Sequence, residues 1–283
     1  MHAKPFVMNL ALTGATTTKA MNRNVPLSHA EIIDDVARCM EFGIQIVHLH
    51  CRDEQGQQTS DPELYGRLIE NIRGLPGGRE LVVGVTTTGR MDSRLESRSR
   101  VLALDGLAKP DMASLTLSSL NFMQSASVNQ PETIRRLAEL MKERSIKPEL
   151  EVFDLGMANF AKVLLQEGVL EPPLYINILL GNIAGAQANA LQFSTIMTQL
   201  PENSMVTLGG LGRFQFSANI LGLLEADGAR IGLEDNLWFD HSRLIPASNP
   251  SLVQRLVSLC EQFERPLMPT LELRKELGLR LLP

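Results

Sequence analysis

The sequence has 283 residues, of which 44% are hydrophobic and 21% are charged, and its formal net charge is -5. The chain is long enough for one large domain or two small ones, and its apolar content excludes intrinsic disorder. The excess of acidic over basic residues argues against nucleic-acid binding, which needs a cationic surface. The longest apolar runs are far shorter than the roughly 20 residues of a transmembrane helix, so we expect no membrane span.

The amino terminus and the cysteines indicate a compartment. Residues 1–12 lack the long apolar core and small-residue cleavage site of an export signal. Cys39, Cys51 and Cys260 are odd in number and widely spaced, which argues against a disulfide framework. We therefore expect a cytoplasmic protein with three unpaired cysteines.

Short apolar segments rich in β-branched residues alternate along the chain with longer amphipathic segments. The predicted strands cover residues 6–12, 44–50, 81–86, 112–117, 150–153, 174–179, 205–208 and 229–232. The predicted helices cover residues 28–42, 62–72, 93–104, 131–144, 157–167, 187–199, 214–225 and 250–263. Eight strand–helix units in this length predict an α/β protein with one (β/α)8 TIM barrel rather than an open sheet. No linker divides residues 1–283, and residues 266–283 are expected to form a C-terminal extension.

The second predicted strand ends in two histidines. His48 and His50 are two residues apart, so both imidazoles project from the same face of the strand. Two neutral imidazoles at a barrel mouth suit a divalent transition metal such as zinc, provided that further ligands arrive from elsewhere. The alternative is a pair of hydrogen-bonded core histidines without a metal.

The last predicted strand is followed directly by two carboxylates, Glu234 and Asp235. Closure of a barrel brings its eighth strand beside the first and close to the second. Glu234 is therefore the candidate third metal ligand, and Asp235 is the candidate general base. An acidic cap on a following helix is the alternative explanation for this pair.

The fifth predicted strand carries Glu149 and Glu151 on one face. A carboxylate inside a barrel is costly unless it is paired, and Arg230 on the last strand is the expected partner of Glu151. Solvent-facing charge at the bottom of the barrel is the alternative, and Glu149 fits that alternative better than Glu151 does.

A glycine-rich turn follows the seventh predicted strand and contains Gly209, Gly210, Gly212 and Arg213. Backbone N–H groups of such a turn, together with an arginine and a helix N-terminus, bind anions such as phosphate. A plain tight turn is the alternative, because the spacing matches neither the dinucleotide-binding nor the P-loop pattern. Hydroxyl-rich loops at residues 13–18 and 86–90 reach the same rim, where Arg90 is suited to bind a carboxylate.

Four segments together resemble the β-keto acid cleavage enzymes. They are the His-Leu-His-x-Arg strand beginning at His48, the Pro-Glu-x-Glu-Val-Phe-Asp strand beginning at Pro148, the Gly-Gly-x-Gly-Arg turn, and the Gly-x-Glu-Asp-Asn sequence beginning at Gly232. The resemblance runs in order from Thr13 to Asn249. It implies a zinc-bearing (β/α)8 barrel, commonly a homotetramer, that converts a β-keto acid and acetyl-CoA into acetoacetate and a new acyl-CoA.

The resemblance also implies roles for individual residues. The implied metal ligands are His48, His50 and Glu234, the implied base is Asp235, and the residues implied to orient and tune that base are Arg230 and Glu151. The residues of the glycine-rich turn, Gly209, Gly210, Gly212 and Arg213, are expected to bind CoA.

The substrate is expected to carry a neutral or anionic side group. Thr16, Thr87 and Ser114 match positions that resemble substrate contacts in the family. Thr16 stands where a relative with an aminated substrate has a glutamate, and Arg90 replaces a glycine-like position. A dicarboxylic β-keto acid such as 3-oxoadipate or 3-oxoglutarate fits this pattern.

Two other functions remain open on the sequence. Paired strand histidines also occur in metal-dependent hydrolases and aldolases built on the same barrel. A metal-binding barrel without catalytic activity is the other alternative, although the combination of Asp235, Arg230 and Glu151 argues against it.

Overall fold

Eight parallel strands close into a barrel in the structure, a computed structural model that describes residues 4–282. The strands in chain order are β1 (Val7–Ala11), β2 (Ile46–Leu49), β3 (Val82–Val85), β4 (Met112–Thr116), β5 (Leu120–Asn121), β6 (Ala126–Ser127), β7 (Lys147–Val152), β8 (Leu174–Leu180), β9 (Ser204–Gly210) and β10 (Gly228–Ile231). The order around the barrel is β1-β10-β9-β8-β7-β4-β3-β2, while β5 and β6 form a separate antiparallel hairpin. The predicted TIM barrel is confirmed.

Helices connect successive barrel strands on the outside. They are α1 (His29–Met40), α2 (Pro62–Arg73), α3 (Leu95–Ser99), α4 (Pro131–Glu143), α5 (Leu155–Gln166), α6 (Ala190–Met197), α7 (Gln215–Glu225), α8 (Asn249–Gln262) and α9 (Thr270–Glu276). Helix α1 begins at a capping box, in which the Ser28 hydroxyl accepts from the Glu31 N–H and the Glu31 carboxylate accepts from the Ser28 N–H. Within residues 4–282, no helix has the length and apolar character needed to cross a membrane.

Side chains inside the barrel form distinct layers. The lowest layer is apolar and consists of Val7, Ile46, Val82, Met112, Tyr175 and Met205. The layer above it is polar and contains Asn9, His48, Glu149, Asn177 and Thr207, all nearly or fully buried. Because strand side chains alternate, residues two positions further along several of these strands reach the open C-terminal end, where barrel active sites lie.

The C-terminal segment closes the bottom of the barrel. Met268, Leu273 and Leu277 pack against the lowest apolar layer and are nearly or fully buried. The buried Arg274 guanidinium donates to Asp111 at 2.8 and 3.1 Å and to the Leu81 carbonyl at 2.8 Å. Helix α9 is therefore both packed and hydrogen-bonded to the barrel.

Three local features differ from the sequence expectation. Helix α3 is only five residues long and is followed by two 3-10 turns, Arg100–Ala103 and Gly106–Ala108. The β5–β6 hairpin was not predicted, since two residues per strand leave no periodic signal. Strand β9 extends through Gly210, which pairs with Leu180 of β8, so the first two glycines of the predicted turn belong to a strand.

Candidate metal centre and active site

The two strand histidines and Glu234 converge at the C-terminal end of the barrel. The Nε2 atoms of His48 and His50 are 3.2 Å apart, and Glu234 Oε1 lies 3.3 Å from His50 Nε2. Glu234 Oε2 is 3.9 Å from His48 Nε2. Ligands bound tetrahedrally to zinc at 2.0–2.1 Å are about 3.3 Å apart, so the three side chains fit a single metal ion.

Local hydrogen bonds hold Glu234 in this position. The Glu234 N–H donates to the Ala11 carbonyl at 3.1 Å, and the neighbouring Leu233 N–H donates to Asn249 Oδ1 at 2.9 Å. Gly14 has a φ of +74°, and a Cβ on it would come within 2.7 Å of Glu234 Cγ. Glu234 Oε2 is buried and has no hydrogen-bond partner among the described residues, as expected for an oxygen that binds a cation.

Glu149 is a second carboxylate of this centre, and the alternative that it faces solvent at the barrel bottom is wrong. Its side chain is fully buried, and Oε2 lies 2.8 Å from His48 Nδ1. Asn9 donates to Glu149 Oε1 at 2.7 Å, and Asn177 donates to the same oxygen. An ionised carboxylate that accepts from Nδ1–H leaves Nε2 free to bind a metal. The spacing of Glu149 and Glu151 was the available signal, since both must share the barrel interior.

The pKa shifts of His50 and Glu234 favour metal binding, whereas that of His48 opposes it. Burial disfavours the protonated form of His48, but the charges of Glu149 and Glu234 outweigh burial and raise its pKa, so a metal must compete with a proton there. Burial lowers the pKa of His50 and so favours its neutral form. Burial opposes ionisation of Glu234, but its interactions with the His50 imidazole and the Arg230 guanidinium outweigh this effect and hold its pKa well below the ordinary value. A neutral imidazole and an ionised carboxylate are the forms that bind a divalent cation.

Arg230 connects the candidate ligand to two further carboxylates. Its Nε donates to Asp235 Oδ2 at 2.9 Å, and its Nη2 lies 2.8 Å from Glu234 Oε1. Glu151 Oε1 is 3.6 Å from Arg230 Nη1, and Glu151 Oε2 accepts from the Thr116 hydroxyl at 2.5 Å. Asp235 is thus held by a buried guanidinium rather than capping a helix, since Ser248 caps α8.

The electrostatics of this cluster favour a basic carboxylate. Burial raises the pKa of Asp235 above the ordinary value, although the Arg230 guanidinium acts in the opposite direction. Burial also raises the pKa of Glu151, again against the effect of Arg230. A carboxylate with a raised pKa is a stronger base once ionised and is suited to proton transfer.

The cluster opens into a cavity of about 230 Å³ whose wall contains His50, Glu234, Asp235, Arg230 and Glu151. Thr16 and Arg90, which the sequence predicts as substrate contacts, also lie on this wall. The Arg90 guanidinium stacks on the Phe122 ring, 4.2 Å from its centroid. Phe122 follows β5 in the unpredicted hairpin, so the hairpin covers one side of the cavity.

Two other predicted substrate contacts are not brought to the cavity wall. The Thr87 hydroxyl donates to the Ser114 carbonyl at 2.6 Å, and the Thr87 N–H donates to Ser114 Oγ at 3.1 Å. Neither residue is on the wall, which instead contains Thr86, Thr88 and Thr116. Because side chains alternate along extended chain, Thr87 points away from the cavity between Thr86 and Thr88. Ser114 lies one layer deeper in the barrel than Thr116.

The glycine-rich turn is not an open anion cradle. The Leu211 N–H donates to the Leu180 carbonyl at 2.9 Å, and the Gly212 N–H donates to the Asp235 carbonyl at 2.6 Å. Gly209 and Gly210 lie in β9, where a Cβ on Gly209 would come within 2.8 Å of Leu179. These glycines therefore serve close packing beside the active site. Of the four predicted residues of this turn, Arg213 is the one exposed at the rim.

Comparison with known proteins gives a consistent assignment. The family model for beta-keto acid cleavage enzyme matches residues 5–279. The chain is 33% identical over 279 residues to a 3-oxoadipate:acetyl-CoA acetyltransferase of Cupriavidus necator, covering 98% of this chain and 95% of that protein. It is 31% identical over 276 residues to a 3-keto-5-aminohexanoate cleavage enzyme of Fusobacterium nucleatum, covering 97% of this chain and 98% of that protein.

A solved structure of apo ObcA shares the fold, with a TM-score of 0.76 and 17% sequence identity. The match covers 90% of this chain and 66% of ObcA. The family model spans nearly the whole chain and includes every candidate site residue described above. The chain therefore belongs to the β-keto acid cleavage enzyme family.

Proposed function

We propose that this enzyme condenses a β-keto acid with acetyl-CoA and cleaves the adduct into acetoacetate and a new acyl-CoA. The observation that carries the proposal is the convergence of His48, His50 and Glu234 beside the Arg230–Asp235 pair, in one cavity of a chain of this family. Family membership favours this reaction over the hydrolase, the aldolase and the non-catalytic barrel.

We propose that His48, His50 and Glu234 hold zinc. The support is their spacing, their two-nitrogen, one-carboxylate composition and the Glu149–His48 hydrogen bond. A divalent cation bound there would draw electrons from the keto and carboxylate oxygens of the substrate and make the carbon between them more acidic.

Asp235 is the proposed base in this reaction. Its carboxylate takes a proton from C2 of the β-keto acid, and the resulting carbanion attacks the thioester carbonyl of acetyl-CoA. Arg230 holds Asp235 at the cavity wall through two N–H donors, at 2.9 and 3.3 Å. Glu151 fixes the other side of Arg230, so both residues orient the base.

The second half of the reaction returns the proton. The CoA thiolate released in the first step adds to the original keto carbon of the adduct. The bond between that carbon and C2 breaks, and its electron pair stays on C2. Protonated Asp235 then returns the proton to C2, which gives acetoacetate and leaves the remaining acyl group on CoA.

The proposed substrate is a β-keto acid with a second carboxylate at its far end. Arg90 lies on the cavity wall with its guanidinium held against Phe122, and it forms no ion pair with a carboxylate among the described residues. Thr16 on the same wall offers a neutral hydroxyl, which does not favour an ammonium group. The name of the Cupriavidus necator relative, which includes 3-oxoadipate, supports this substrate class.

The experiment is a substrate panel with acetyl-CoA, in which each acyl-CoA product is identified by mass. We expect 3-oxoadipate to give succinyl-CoA and acetoacetate, with 3-oxoglutarate as the shorter dicarboxylic comparison. Turnover of 3-keto-5-aminohexanoate equal to that of the dicarboxylates would refute the substrate class. Absence of any acyl-CoA product from a metal-loaded enzyme would refute the reaction.

Arg213 is the part of the glycine-rich turn that we propose for CoA recognition. Its side chain is exposed at the barrel rim and lies beside Phe214. A guanidinium there could pair with a phosphate of CoA. Arg213→Met should then raise the KM for acetyl-CoA without changing the metal content.

We also propose a cytoplasmic homotetramer. Unpaired, buried Cys39, Cys51 and Cys260 suit a reducing compartment. The exposed side chains of Leu155, Ile183 and Leu191, in neighbouring loops and helices of the C-terminal face, supply apolar surface for subunit contacts. Light scattering should give four times the chain mass of 31.2 kDa, and a monomer would refute the assembly.

A further inference from the structure

Arg98 is a buried arginine near the substrate cavity that the proposed reaction does not use. Its side chain lies in α3 and is only 2% exposed. Its Nε donates to the Thr87 carbonyl at 2.7 Å, and its Nη2 donates to Asn129 Oδ1 at 2.8 Å. Within residues 4–282 it forms no ion pair, and Nη1 has no hydrogen-bond partner.

A buried cation without a carboxylate partner is costly, and an apolar side chain would be cheaper. Burial lowers the pKa of Arg98 to about 10, while the charge of Glu151 opposes that shift. The guanidinium remains cationic at neutral pH, and its charge is felt at the cavity wall, where Glu151 lies. Its position therefore calls for an explanation other than fold stability.

The two hydrogen bonds of Arg98 join the two segments that form one end of the cavity, the end proposed to bind the far carboxylate of the substrate. The first segment contains Thr87, whose carbonyl accepts from Arg98. Its neighbours Thr86, Thr88 and Arg90 line the cavity wall. A Cβ on Gly89 would come within 2.9 Å of Arg98 Nη1. The loop that carries Arg90 is thus packed directly on the Arg98 guanidinium.

On the other side, Asn129 closes the base of the β5–β6 hairpin. Its Nδ2 donates to the Ser118 carbonyl at 3.1 Å and to Ser127 Oγ at 3.3 Å, and its N–H donates to Ser119 Oγ at 2.8 Å. The hairpin has only two residues per strand, so its position depends on such contacts at its base. It carries Phe122, on which Arg90 stacks.

We propose that Arg98 is a positioning residue for substrate selectivity. By joining Thr87 to Asn129 it sets the spacing between Arg90 and Phe122, and so holds the Arg90 guanidinium where it meets the far carboxylate of the substrate. Arg98 acts through these residues and does not touch the substrate. This inference rests on the proposed function, and it assigns the selectivity of that site to a residue outside the cavity wall.

The test compares two substrates of equal chain length, 3-oxoadipate and 3-oxohexanoate, which differ in the terminal carboxylate. In Arg98→Met we expect the KM for 3-oxoadipate to rise by about 10-fold, the order of one lost charge-assisted contact. The kcat for both substrates and the KM for 3-oxohexanoate should stay close to their wild-type values. Metal content should be unchanged.

Two further variants separate positioning from charge and from general damage. Arg98→Lys keeps the charge but cannot span Thr87 and Asn129 with a planar fork, so its KM for 3-oxoadipate should also rise. If Arg98→Met does not fold, Arg98→Lys alone tests the proposal. Arg94→Met removes an exposed arginine near the start of α3 that pairs with Asp92, and it should leave both KM values unchanged.

Each outcome bears on the inference. Equal losses for both substrates in the Arg98 variants, or wild-type kinetics in Arg98→Lys, would overturn the positioning role. A wild-type enzyme that fails to prefer 3-oxoadipate over 3-oxohexanoate would overturn the proposed substrate class itself, and the inference with it.

Discussion

Glu234 and Asp235 are adjacent in the sequence, and both side chains contact the Arg230 guanidinium. Among the described residues, Glu234 alone of the two also faces the imidazoles of His48 and His50. Their pKa values accordingly shift in opposite directions, down for Glu234 and up for Asp235. One carboxylate is thus suited to hold a cation and the other to accept a proton.

This division of roles predicts different losses on substitution. Asp235→Asn should lower kcat by about 10²- to 10⁴-fold, the usual contribution of a positioned base, and should retain the metal. His48→Ala should lose both metal and activity, because it removes a ligand. Turnover assays combined with metal analysis check both variants. Full activity of Asp235→Asn would contradict the assigned base.

Glu149 predicts an effect on metal binding that acts through His48. Glu149→Gln removes the negative charge that fixes the Nδ1–H tautomer, so the dissociation constant of the metal should rise by about 10- to 100-fold. Competition with a chelator measures this dissociation constant. Glu151→Gln is the matched control, because Glu151 contacts Thr116 and Arg230 rather than a histidine. Equal metal affinities for the two variants would contradict the role of Glu149.

At the scale of elements, the loop after β1 packs a glycine against the candidate metal centre. Gly14 and Gly56 share nearly the same positive φ, +74° and +75°. A Cβ on Gly14 would contact Glu234 Cγ, whereas nothing lies within 4 Å of a Cβ on Gly56. The two positions therefore differ only in what surrounds them.

Gly14→Ala and Gly56→Ala should each lose about 1–2 kcal/mol of unfolding free energy, since both place an alanine in the left-handed region. Only Gly14→Ala should also weaken metal binding, because it displaces a ligand. Urea unfolding and chelator competition separate the two effects. If Gly14→Ala bound metal as tightly as Gly56→Ala, the loop would not control Glu234.

At the scale of the whole molecule, the C-terminal segment is part of the barrel core. Leu273 is fully buried against the lowest barrel layer, while Leu271, two residues earlier in α9, is 51% exposed. One domain across residues 1–283 with a C-terminal extension stays a prediction, and substitutions in α9 test it.

Leu273→Ala should therefore lower the unfolding free energy of the entire chain by about 2–5 kcal/mol, the cost of a cavity at a buried leucine. Leu271→Ala should change it by less than about 0.5 kcal/mol. Thermal unfolding should show one transition in both variants. A separate early transition in Leu273→Ala, with the main one unmoved, would show that the extension is an independent unit.

The barrel and most of the candidate metal centre could be predicted because their signals are local and periodic. Eight apolar segments alternating with helices specify parallel strands, and the two-residue spacing of His48 and His50 specifies a shared face. The order of β10 beside β1 and β1 beside β2 follows from closure, which brings Glu234 to the histidines. These inferences need only chain order and side-chain alternation.

Other features were decided by the tertiary structure, because they depend on which layer or segment a side chain meets. The sequence left a solvent-facing position open for Glu149, but strand register puts it under His48. Thr87 was placed on the substrate wall, but its backbone direction turns it toward Ser114. The sequence by itself determined the architecture and the convergence of His48, His50 and Glu234. Only packing between distant segments decided which hydroxyls line the cavity, which N–H groups of the glycine-rich turn are already used, and how Arg98 joins the Arg90 loop to the hairpin.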